Sequence, residues 1–360
     1  MKNIHFTITN SIISKIEQIY RIWWVIENAH IVPERQAKLK QIARLRSGVY
    51  STKIEGNRIT YTEAERLLAG EKIKARPRDE KELKNYMKVL DYIESRESDN
   101  TITEKDIFKI HQLTTKNILD TIHHNKRRNQ PNAVYNEWWW IVYLPPDRKD
   151  APKLIKELLD FVNKQKEISV IIRAWLLHHR FVIIHPFFDG NGRTARALTQ
   201  LFLYQNGFNT KKYFSLEEYY DTDLPNYYEA IFIGNDFYSA QKKTIDSTKF
   251  VEYFLAGLEH ELNHLKKTIE SIKDDEQFEN KLIMARLNNR QIHISAYIKE
   301  HLSVTAKDLL SQYNVSLATI KRDLDLLIKN WIIKSVGFGK STRYEPVLSW
   351  KWAKKKKQQF

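Results

Sequence analysis

The chain contains no cysteine among its 360 residues. Disulfide bonds, thiolate zinc sites and cysteine nucleophiles are therefore excluded, and the fold must be stabilised by packing alone. A chain without disulfides suits a reducing compartment, so we expect a cytoplasmic protein.

The sequence also lacks a long uninterrupted apolar run. Residues 1–10 mix charged, polar and apolar types, which is not the pattern of a secretory signal, so export is not expected. The most apolar stretch, residues 170–184, is interrupted by four polar side chains: Arg173, His178, His179 and Arg180. Because charges at membrane depth are costly, we expect this stretch to be a buried helix and the protein to have no membrane partner.

The chain has fewer acidic residues than basic ones. Lys and Arg outnumber Asp and Glu by 59 to 44, which gives a formal net charge of +15. Such a surplus favours polyanionic partners such as nucleic acid or nucleotide phosphates, although it also serves solubility alone. The length and the 42% hydrophobic content are those of a globular protein of two or three domains.

Apolar residues recur at helical spacing through most of the chain. The predicted helices span residues 12–20, 35–49, 79–94, 103–119, 153–166, 169–184, 192–206 and 248–272, with a short helix after a Thr60 or Thr62 cap. Residues 133–143 are rich in aromatic and β-branched types and end at Pro145-Pro146, which predicts a short β-hairpin. Strand alternation predicts that Trp139 faces opposite to Trp138 and Trp140.

The segment HPFFDGNGRTAR, residues 185–196, places dense polar chemistry directly after the apolar stretch. Gly190, Asn191 and Gly192 lie between two predicted helices, and their small size lets backbone N–H groups point into one concavity. Such a nest at a helix N-terminus attracts anions, because the N–H dipoles add to the helix dipole.

The charged residues of the same segment extend this chemistry. Arg193 and Arg196 lie three positions apart, hence on one helix face, and their planar guanidinium groups suit phosphate oxygens. Asp189 offers a hard oxygen ligand for Mg²⁺, and His185 has the pKa class of a general base. Taken singly, Asp189 to Gly192 could be an ordinary turn and the two arginines a solvated helix face. The combination of a base, a metal ligand, a nest and two guanidinium groups in twelve positions instead predicts a polyphosphate site.

The segment resembles the Fic family, whose motif His-Pro-Phe-x-Asp/Glu-Gly-Asn-Gly-Arg-x-x-Arg it matches at every specified position. The likeness covers roughly residues 100–265, about one domain. It implies an all-helical core and transfer of AMP from ATP to a Ser, Thr or Tyr hydroxyl of a target protein or of the chain itself, with Mg²⁺ as cofactor. The runner-up is a DNA-binding regulator whose Fic-like core senses nucleotide without transferring it.

The resemblance also implies a role for each residue of the motif. His185 corresponds to the base, Phe187 to the core anchor, Asp189 to the Mg²⁺ ligand, Gly190, Asn191 and Gly192 to the phosphate cradle, and Arg193 and Arg196 to the contacts with the outer phosphates. A superfamily relative with Lys in the place of Gly192 binds the nucleotide reversed and transfers a phosphate. The glycine therefore favours AMP transfer.

A second pattern lies upstream of the motif. Residues 51–57, STKIEGN, match the family's inhibitory pattern Ser/Thr-x-x-x-Glu-Gly/Asn, which implies that Ser51 and Glu55 belong to an inhibitory helix. Glu55 would then pair with Arg196 and occupy the place that the ATP γ-phosphate needs. In some members the same glutamate aligns a water that removes AMP, and the sequence leaves this de-AMPylating alternative open.

Three further segments are compared with the family, and one of them departs from its pattern. Residues 134–143 resemble the family's β-hairpin flap, to whose edge a target segment would add as a strand. The basic run at residues 126–128 lies where relatives often carry a basic residue before the flap, but it is interpreted as solvated surface. Relatives often carry an arginine before a pair of aromatic residues, whereas here the residues before Tyr219-Tyr220 are acidic, so contacts with adenosine or target stay open in this region.

The C-terminal region follows a different pattern. Predicted helices at residues 291–300, 305–313 and 316–329 and strands at 331–336 and 343–347 resemble a winged helix-turn-helix, with Thr305 and Ser316 as caps. On the DNA-binding interpretation, phosphates or base edges are approached by Ser316, Thr319, Lys321, Arg322 and Lys340. Asp323 and Asp325 interrupt this basic face, and docking of a protein partner is the alternative.

These patterns divide the chain into four segments. An N-terminal helical region with the inhibitory motif spans residues 1–98, a Fic-type core spans 99–272, and a charged linker spans 273–288. A small α+β winged-helix domain with a basic tail, Lys354 to Lys357, spans residues 289–360. A homodimer is compatible with this organisation, and the sequence does not decide it.

Overall fold

A computed structural model describes residues 5–120, 126–135 and 140–347. The chain divides into two compact units, Met1–Lys266 and Lys267–Phe360. Helices dominate both units, and within the described residues each unit has one two-stranded antiparallel sheet. The predicted mainly α fold class is confirmed. Trp138, Trp139 and the basic tail lie outside the described residues, so the predictions on them stand as made.

Five helices open the first unit. They are α1 (Asn10–Glu27), α2 (Pro33–Lys53), α3 (Tyr61–Leu68), α4 (Pro77–Ser95) and α5 (Glu104–Thr115). Thr60 begins α3 through a capping box with Glu63, and Thr103 begins α5 through one with Asp106. Each box satisfies N–H groups that have no partner inside the helix. The start of α3 therefore follows from local sequence chemistry.

The rest of the first unit is built around one central helix. The elements are α6 (Ala151–Lys164), α7 (Val170–Ile184), α8 (Asn191–Gln205), α9 (Glu217–Thr222), α10 (Leu224–Ile231) and α11 (Phe237–Lys242), with a 3-10 turn at Thr210–Lys212. Helix α7 is buried almost throughout, as predicted for the apolar stretch. Its polar side chains are hydrogen-bonded inside the core; Arg180, for example, donates to the Ile245 carbonyl at 2.8 Å. No helix of the described residues is long and apolar enough to cross a bilayer.

The two strands of the predicted hairpin are both present. Strand β1 (Val134–Tyr135) pairs antiparallel with β2 (Ile141–Tyr143), with Val134 opposite Tyr143 and Tyr135 opposite Ile141. Residues 136–139 between them lie outside the described part. Trp140 is exposed.

Helix α12, which begins in the first unit, is longer than predicted. Helix α12 spans Thr248–Met284, so residues 273–284, predicted as part of a linker, are helical. The charged run was interpreted as a break, but Lys and Glu are good helix formers. Buried Phe278 adds packing in the second unit's core, where Lys299 bonds to Asp275 at 2.7 Å. The division between the two units falls between Lys266 and Lys267.

The second unit has the predicted order of elements. Helices α13 (Asn289–His301), α14 (Ala306–Gln312) and α15 (Leu317–Lys329) precede strands β3 (Ile333–Val336) and β4 (Arg343–Pro346), which pair antiparallel. Thr305 and Ser316 cap α14 and α15 as predicted. The core is apolar and contains Ile294, Ile298, Leu309, Ile320, Leu324, Leu327, Ile332 and Ile333.

Candidate active site

The segment 185–196 forms a tight turn between α7 and α8. His185 ends α7 in the left-handed conformation, with φ 50° and ψ 58°, and its N–H donates to the Phe181 carbonyl at 3.0 Å. Gly190 precedes α8 with φ 80°, and a Cβ there would lie 3.0 Å from Thr115 Cγ2. A side chain at residue 190 would be both strained and crowded. The turn therefore places the N-terminus of α8 beside His185.

Two buried side chains hold this turn in shape. The Asn191 amide donates to the Phe187 carbonyl and accepts from the Phe187 N–H, both at 3.0 Å. Both polar atoms of the Asn191 side chain are therefore bonded within the turn. Only the backbone of Asn191 can contribute to a phosphate cradle. The Phe187 ring is buried and stacks on His111 with centroids 3.7 Å apart.

His111 was not singled out from the sequence. It lies on α5, and its Nε2 is 3.1 Å from the Asp189 carbonyl, so it contacts the turn at a second point. A histidine in an amphipathic helix carries no local signal for such a role. Its function in the turn arises only because α5 packs against α8.

The His185 imidazole is partly buried and set in a definite tautomer. Its Nδ1 lies 3.2 Å from the Val182 carbonyl, which can only accept, so Nδ1 carries the proton. The lone pair is therefore on Nε2. The pKa of His185 is lowered to about 4, mainly by burial and also by nearby Arg128. The hydrogen bond to Val182 and the charges of Glu55 and Asp189 raise this pKa and so oppose the shift. A neutral imidazole with a free lone pair is the form a general base needs.

His185 lines a cavity of about 800 Å³ under the hairpin. The cavity is large enough for a nucleotide, because small-molecule sites are typically about 300–1,000 Å³. The lining includes Glu55, Gly192 and Arg196, and most of its other residues are apolar or aromatic. These include Val134, Tyr135, Val142, Tyr143, Tyr227, Tyr228, Ile231, Phe232 and Ile233.

Arg196 is buried and held by the end of α2. Its Nε donates to Ser51 Oγ at 2.9 Å, and its Nη2 donates to the Ser51 carbonyl and to Glu55 Oε1, both at 2.8 Å. Its Nη1 lies 3.3 Å from the Tyr227 hydroxyl. The ion pair between Glu55 and Arg196 that the inhibitory pattern implies is present in the structure, and Ser51 adds two hydrogen bonds to it.

Arg193 lies in a different setting from Arg196. It is buried, and its guanidinium pairs with Glu82 of α4 at 3.1 Å and with Asp189 at 3.4 Å. Glu82 also accepts from Arg78 at 3.0 Å and from Asn57, two residues after Glu55, at 3.2 Å. Sequence reasoning missed Glu82, since an acidic residue in a charged helix is typical of solvated surface.

Asp189 is the residue of the turn suited to a metal. Its carboxylate accepts from the Gly190 N–H at 2.5 Å, lies 3.6 Å from Arg78 Nη2, and has 35% of its side chain exposed. Within the described part of the chain, no group of three or more His, Cys, Asp or Glu side chains is arranged to hold a metal. One accessible carboxylate fits a Mg²⁺ ion whose other ligands are phosphate oxygens and waters.

The basic run before the hairpin is not solvated surface throughout, which corrects the interpretation of residues 126–128. Lys126 is exposed, but Arg128 is buried, and its Nε donates to the His185 carbonyl at 2.8 Å. The Arg128 N–H donates to the Pro186 carbonyl at 3.0 Å. A run of three cations carries no signal for this contact, which depends on where the loop meets the turn.

The acidic residues before Tyr219-Tyr220 connect α9 to α2. Glu217 is buried and accepts from Ser47 at 3.0 Å and from Ser215 at 2.7 Å. Glu218 pairs with Arg46, which also reaches Glu261 at 3.1 Å. The departure from the family pattern therefore supplies contacts between α9 and α2, the helix that carries Ser51.

In the second unit, Asp323 does not lie on the exposed basic face of α15. It is buried and pairs with Arg290 at 2.7 Å. Lys321, Arg322 and Asp325 are exposed on α15, so one of the two acidic residues interrupts the basic face. The side chain of Lys340 is outside the described residues.

Each of the two units contains a segment that matches a known protein family. Residues 101–203 match the model described as the Fic/DOC family, and residues 290–337 match the model described as a DeoR-like helix-turn-helix domain. The chain therefore contains a Fic/DOC family domain followed by a DeoR-like helix-turn-helix domain.

Curated relatives match over short segments. A probable protein adenylyltransferase of Aquifex aeolicus is 34% identical over 77 residues, 21% of this chain and 24% of the relative. The protein adenylyltransferase Fic of Drosophila willistoni is 34% identical over 109 residues, 30% of this chain and 20% of the relative. The matches thus span a quarter or less of these relatives.

Solved structures share the fold over longer spans. A Fic family protein from Desulfovibrio desulfuricans has a TM-score of 0.62 at 21% identity, covering 95% of this chain and 97% of its own. A Fic domain containing signaling protein from Bacteroides thetaiotaomicron has a TM-score of 0.60 at 24% identity, covering 71% and 97%. These likenesses establish the arrangement of the helices.

Proposed function

We propose that the chain is a protein adenylyltransferase, which transfers AMP from ATP to a Ser, Thr or Tyr hydroxyl of a protein. The observation that carries this proposal is that His185, Gly192 and Arg196 line one nucleotide-sized cavity. The base, the anion-binding helix terminus and a phosphate-binding cation thus face the same space. The named relatives are adenylyltransferases, which supports this choice.

The proposed chemistry follows from the tautomer of His185. Nε2 accepts the proton of the target hydroxyl, the oxygen attacks the α-phosphorus of ATP, and the bond to the β-phosphate oxygen breaks to release pyrophosphate. Backbone N–H groups at the start of α8, together with Arg196, stabilise charge on the phosphates. Mg²⁺ held by Asp189 would supply further neutralisation when bound. The protein mainly positions and neutralises the reactants.

Glu55 makes the same site autoinhibited. Its carboxylate accepts a hydrogen bond from Nη2 of Arg196, a donor that an outer phosphate of ATP would use. A charge-assisted hydrogen bond of this kind contributes about 1.5–3 kcal/mol. Competition of that size lowers productive ATP binding about tenfold or more.

The proposal is tested with ATP labelled at the α-phosphate, with Mg²⁺, on the full chain and on cell lysate. Glu55→Gly should increase labelled protein, and adding His185→Ala should abolish it. Glu65→Gln, an exposed carboxylate of α3, serves as the matched control and should label like wild type. Absence of labelling in Glu55→Gly, or labelling from γ-labelled ATP instead, would reject AMP transfer.

A second function is proposed for the second unit: binding of duplex DNA. Lys321 and Arg322 are exposed on α15, and Asp323 is withdrawn from that face by Arg290. Exposed cations on the second helix of a helix-turn-helix suit phosphates or base edges in the major groove. Salt-dependent retardation of duplex DNA by the full chain tests this function.

A further inference from the structure

Arg128 contacts the catalytic turn and the end of the hairpin at once. Its backbone N–H donates to the Pro186 carbonyl, its Nε to the His185 carbonyl, and its Nη2 to the Pro146 carbonyl just after β2. The side chain is 5% exposed. A buried guanidinium whose donors meet carbonyl oxygens of separate segments connects those segments rigidly.

The contact falls where the backbone needs support. His185 has φ 50°, and a non-glycine residue in the left-handed region costs about 1 kcal/mol or more. Its carbonyl ends α7 and, at the close of a helix, must find a donor outside that helix. Arg128 Nε is that donor. Tyr143 of β2 adds a parallel contact, since its hydroxyl donates to the Ile183 carbonyl at 2.9 Å.

We infer that Arg128 is a positioning residue for His185: it fixes the left-handed turn so that the imidazole faces the cavity. The inference rests on the proposed AMP transfer. Arg128 does not line the cavity, so its removal should disturb the base without removing a nucleotide contact. Lysine cannot replace it, because one ammonium group lacks the planar set of donors that reaches both carbonyls.

The neighbouring Arg127 provides a matched control. It also carries a guanidinium, but it pairs with Glu104 and lies over the Phe108 ring, with 5.2 Å between its Cζ and the ring centroid. Loss of charge and loss of a long side chain are the same in Arg127→Ala and Arg128→Ala. Only the second variant loses the side-chain contacts with the His185 and Pro146 carbonyls, while the backbone contact with Pro186 is kept.

The experiment measures kcat and the KM for ATP in the active Glu55→Gly background. Arg128→Ala should lower kcat about a hundredfold, the cost of misplacing a catalytic group by about 1 Å, with the KM for ATP nearly unchanged. Arg128→Lys should behave similarly, and Arg127→Ala should match the background. Millimolar guanidinium should partly restore kcat in Arg128→Ala and not in His185→Ala.

A merely structural role gives a different result. Arg128→Ala would then lose kcat and ATP binding together, with a lowered melting temperature and no rescue by guanidinium, and the inference would be rejected. Unchanged kcat in Arg128→Ala would reject it as well.

Failure of the proposed function is distinguished by a readout that needs no turnover. If the Glu55→Gly background itself transfers no AMP, the imidazole ¹H–¹⁵N signals of His185, assigned by comparison with His185→Ala, still report its tautomer. Arg128→Ala should shift these signals, and Arg127→Ala should leave them in place. Signals that do not respond to Arg128→Ala would overturn the positioning role independently of AMP transfer.

Discussion

The carboxylate of Glu55 fills the space in which a Cβ on residue 192 would lie, so Gly192 and Glu55 are in direct contact. The same carboxylate accepts from Arg196 at 2.8 Å. Glu55 thus touches both the glycine of the proposed cradle and the proposed phosphate-binding arginine. A side chain at residue 192 would displace the carboxylate as well as crowd the cradle.

Removing the charge of Glu55 is expected to strengthen ATP binding. Glu55→Gln keeps the shape of the side chain but loses the ion pair with Arg196, so the Kd for ATP should fall about tenfold. Isothermal titration with ATP and Mg²⁺ in a His185→Ala background measures this without turnover. Glu65→Gln should leave the Kd unchanged, and an unchanged Kd in Glu55→Gln would remove Glu55 from the account of inhibition.

The pH dependence of AMP transfer should be flat through the range where an ordinary histidine titrates. Burial lowers the pKa of His185 to about 4, so the base is protonated only well below the usual value of 6.5. Because Glu55 raises this pKa, the active Glu55→Gly variant should have an acid midpoint at about 4 or lower. Single-turnover rates against pH measure it. A loss of rate centred near pH 6.5 would contradict the low pKa.

Asp189 is expected to set the requirement for magnesium. Asp189→Asn keeps an oxygen acceptor for the Gly190 N–H but weakens the ligand, so the Mg²⁺ concentration for half-maximal transfer should rise about tenfold or more. Titration of Glu55→Gly with and without Asp189→Asn measures the shift. Asp160→Asn, on the surface of α6, is the control. Equal Mg²⁺ curves would show that Asp189 does not hold the ion.

The DNA-binding proposal predicts a specific role for Arg322. Arg322→Ala should weaken binding of duplex DNA and reduce the slope of log affinity against log salt by about one, because one phosphate contact is lost. Electrophoretic retardation at several salt concentrations measures the slope. Lys329→Ala, at the far end of α15, should change it less. If neither wild type nor variants retard DNA, the DNA-binding proposal is rejected.

Local chemistry made several elements predictable. The cap at Thr60, the caps at Thr305 and Ser316, and the end of the helix at Ile184 depend on residues within a few positions of one another. The same locality allowed residues 185–196 to be interpreted as an anion-binding turn. The pattern at residues 51–57 predicted a partner for Arg196, although only by resemblance to a family.

The end of α12 shows where local patterns mislead. The charged stretch with few apolar residues favours a linker at residues 273–288, whereas the helix continues to Met284. Phe278 nevertheless packs in the core of the second unit, and that long-range contact supports the helix. Periodicity within a segment cannot report a partner surface that lies elsewhere in the chain.

The sequence predicts the longer helices in their order, the chemistry of the turn at residues 185–196 and the candidate partner of Arg196, because each is encoded in residues close together or in a recognisable spacing. It does not predict the short helices α9, α10 and α11. Packing between distant segments determines that Arg128 contacts His185, that Glu82 pairs with Arg193 and that Asp323 is turned inward. In the sequence, Arg128, Glu82 and Asp323 look like solvated surface. Whether such a charge faces water or a buried partner depends on packing between distant segments.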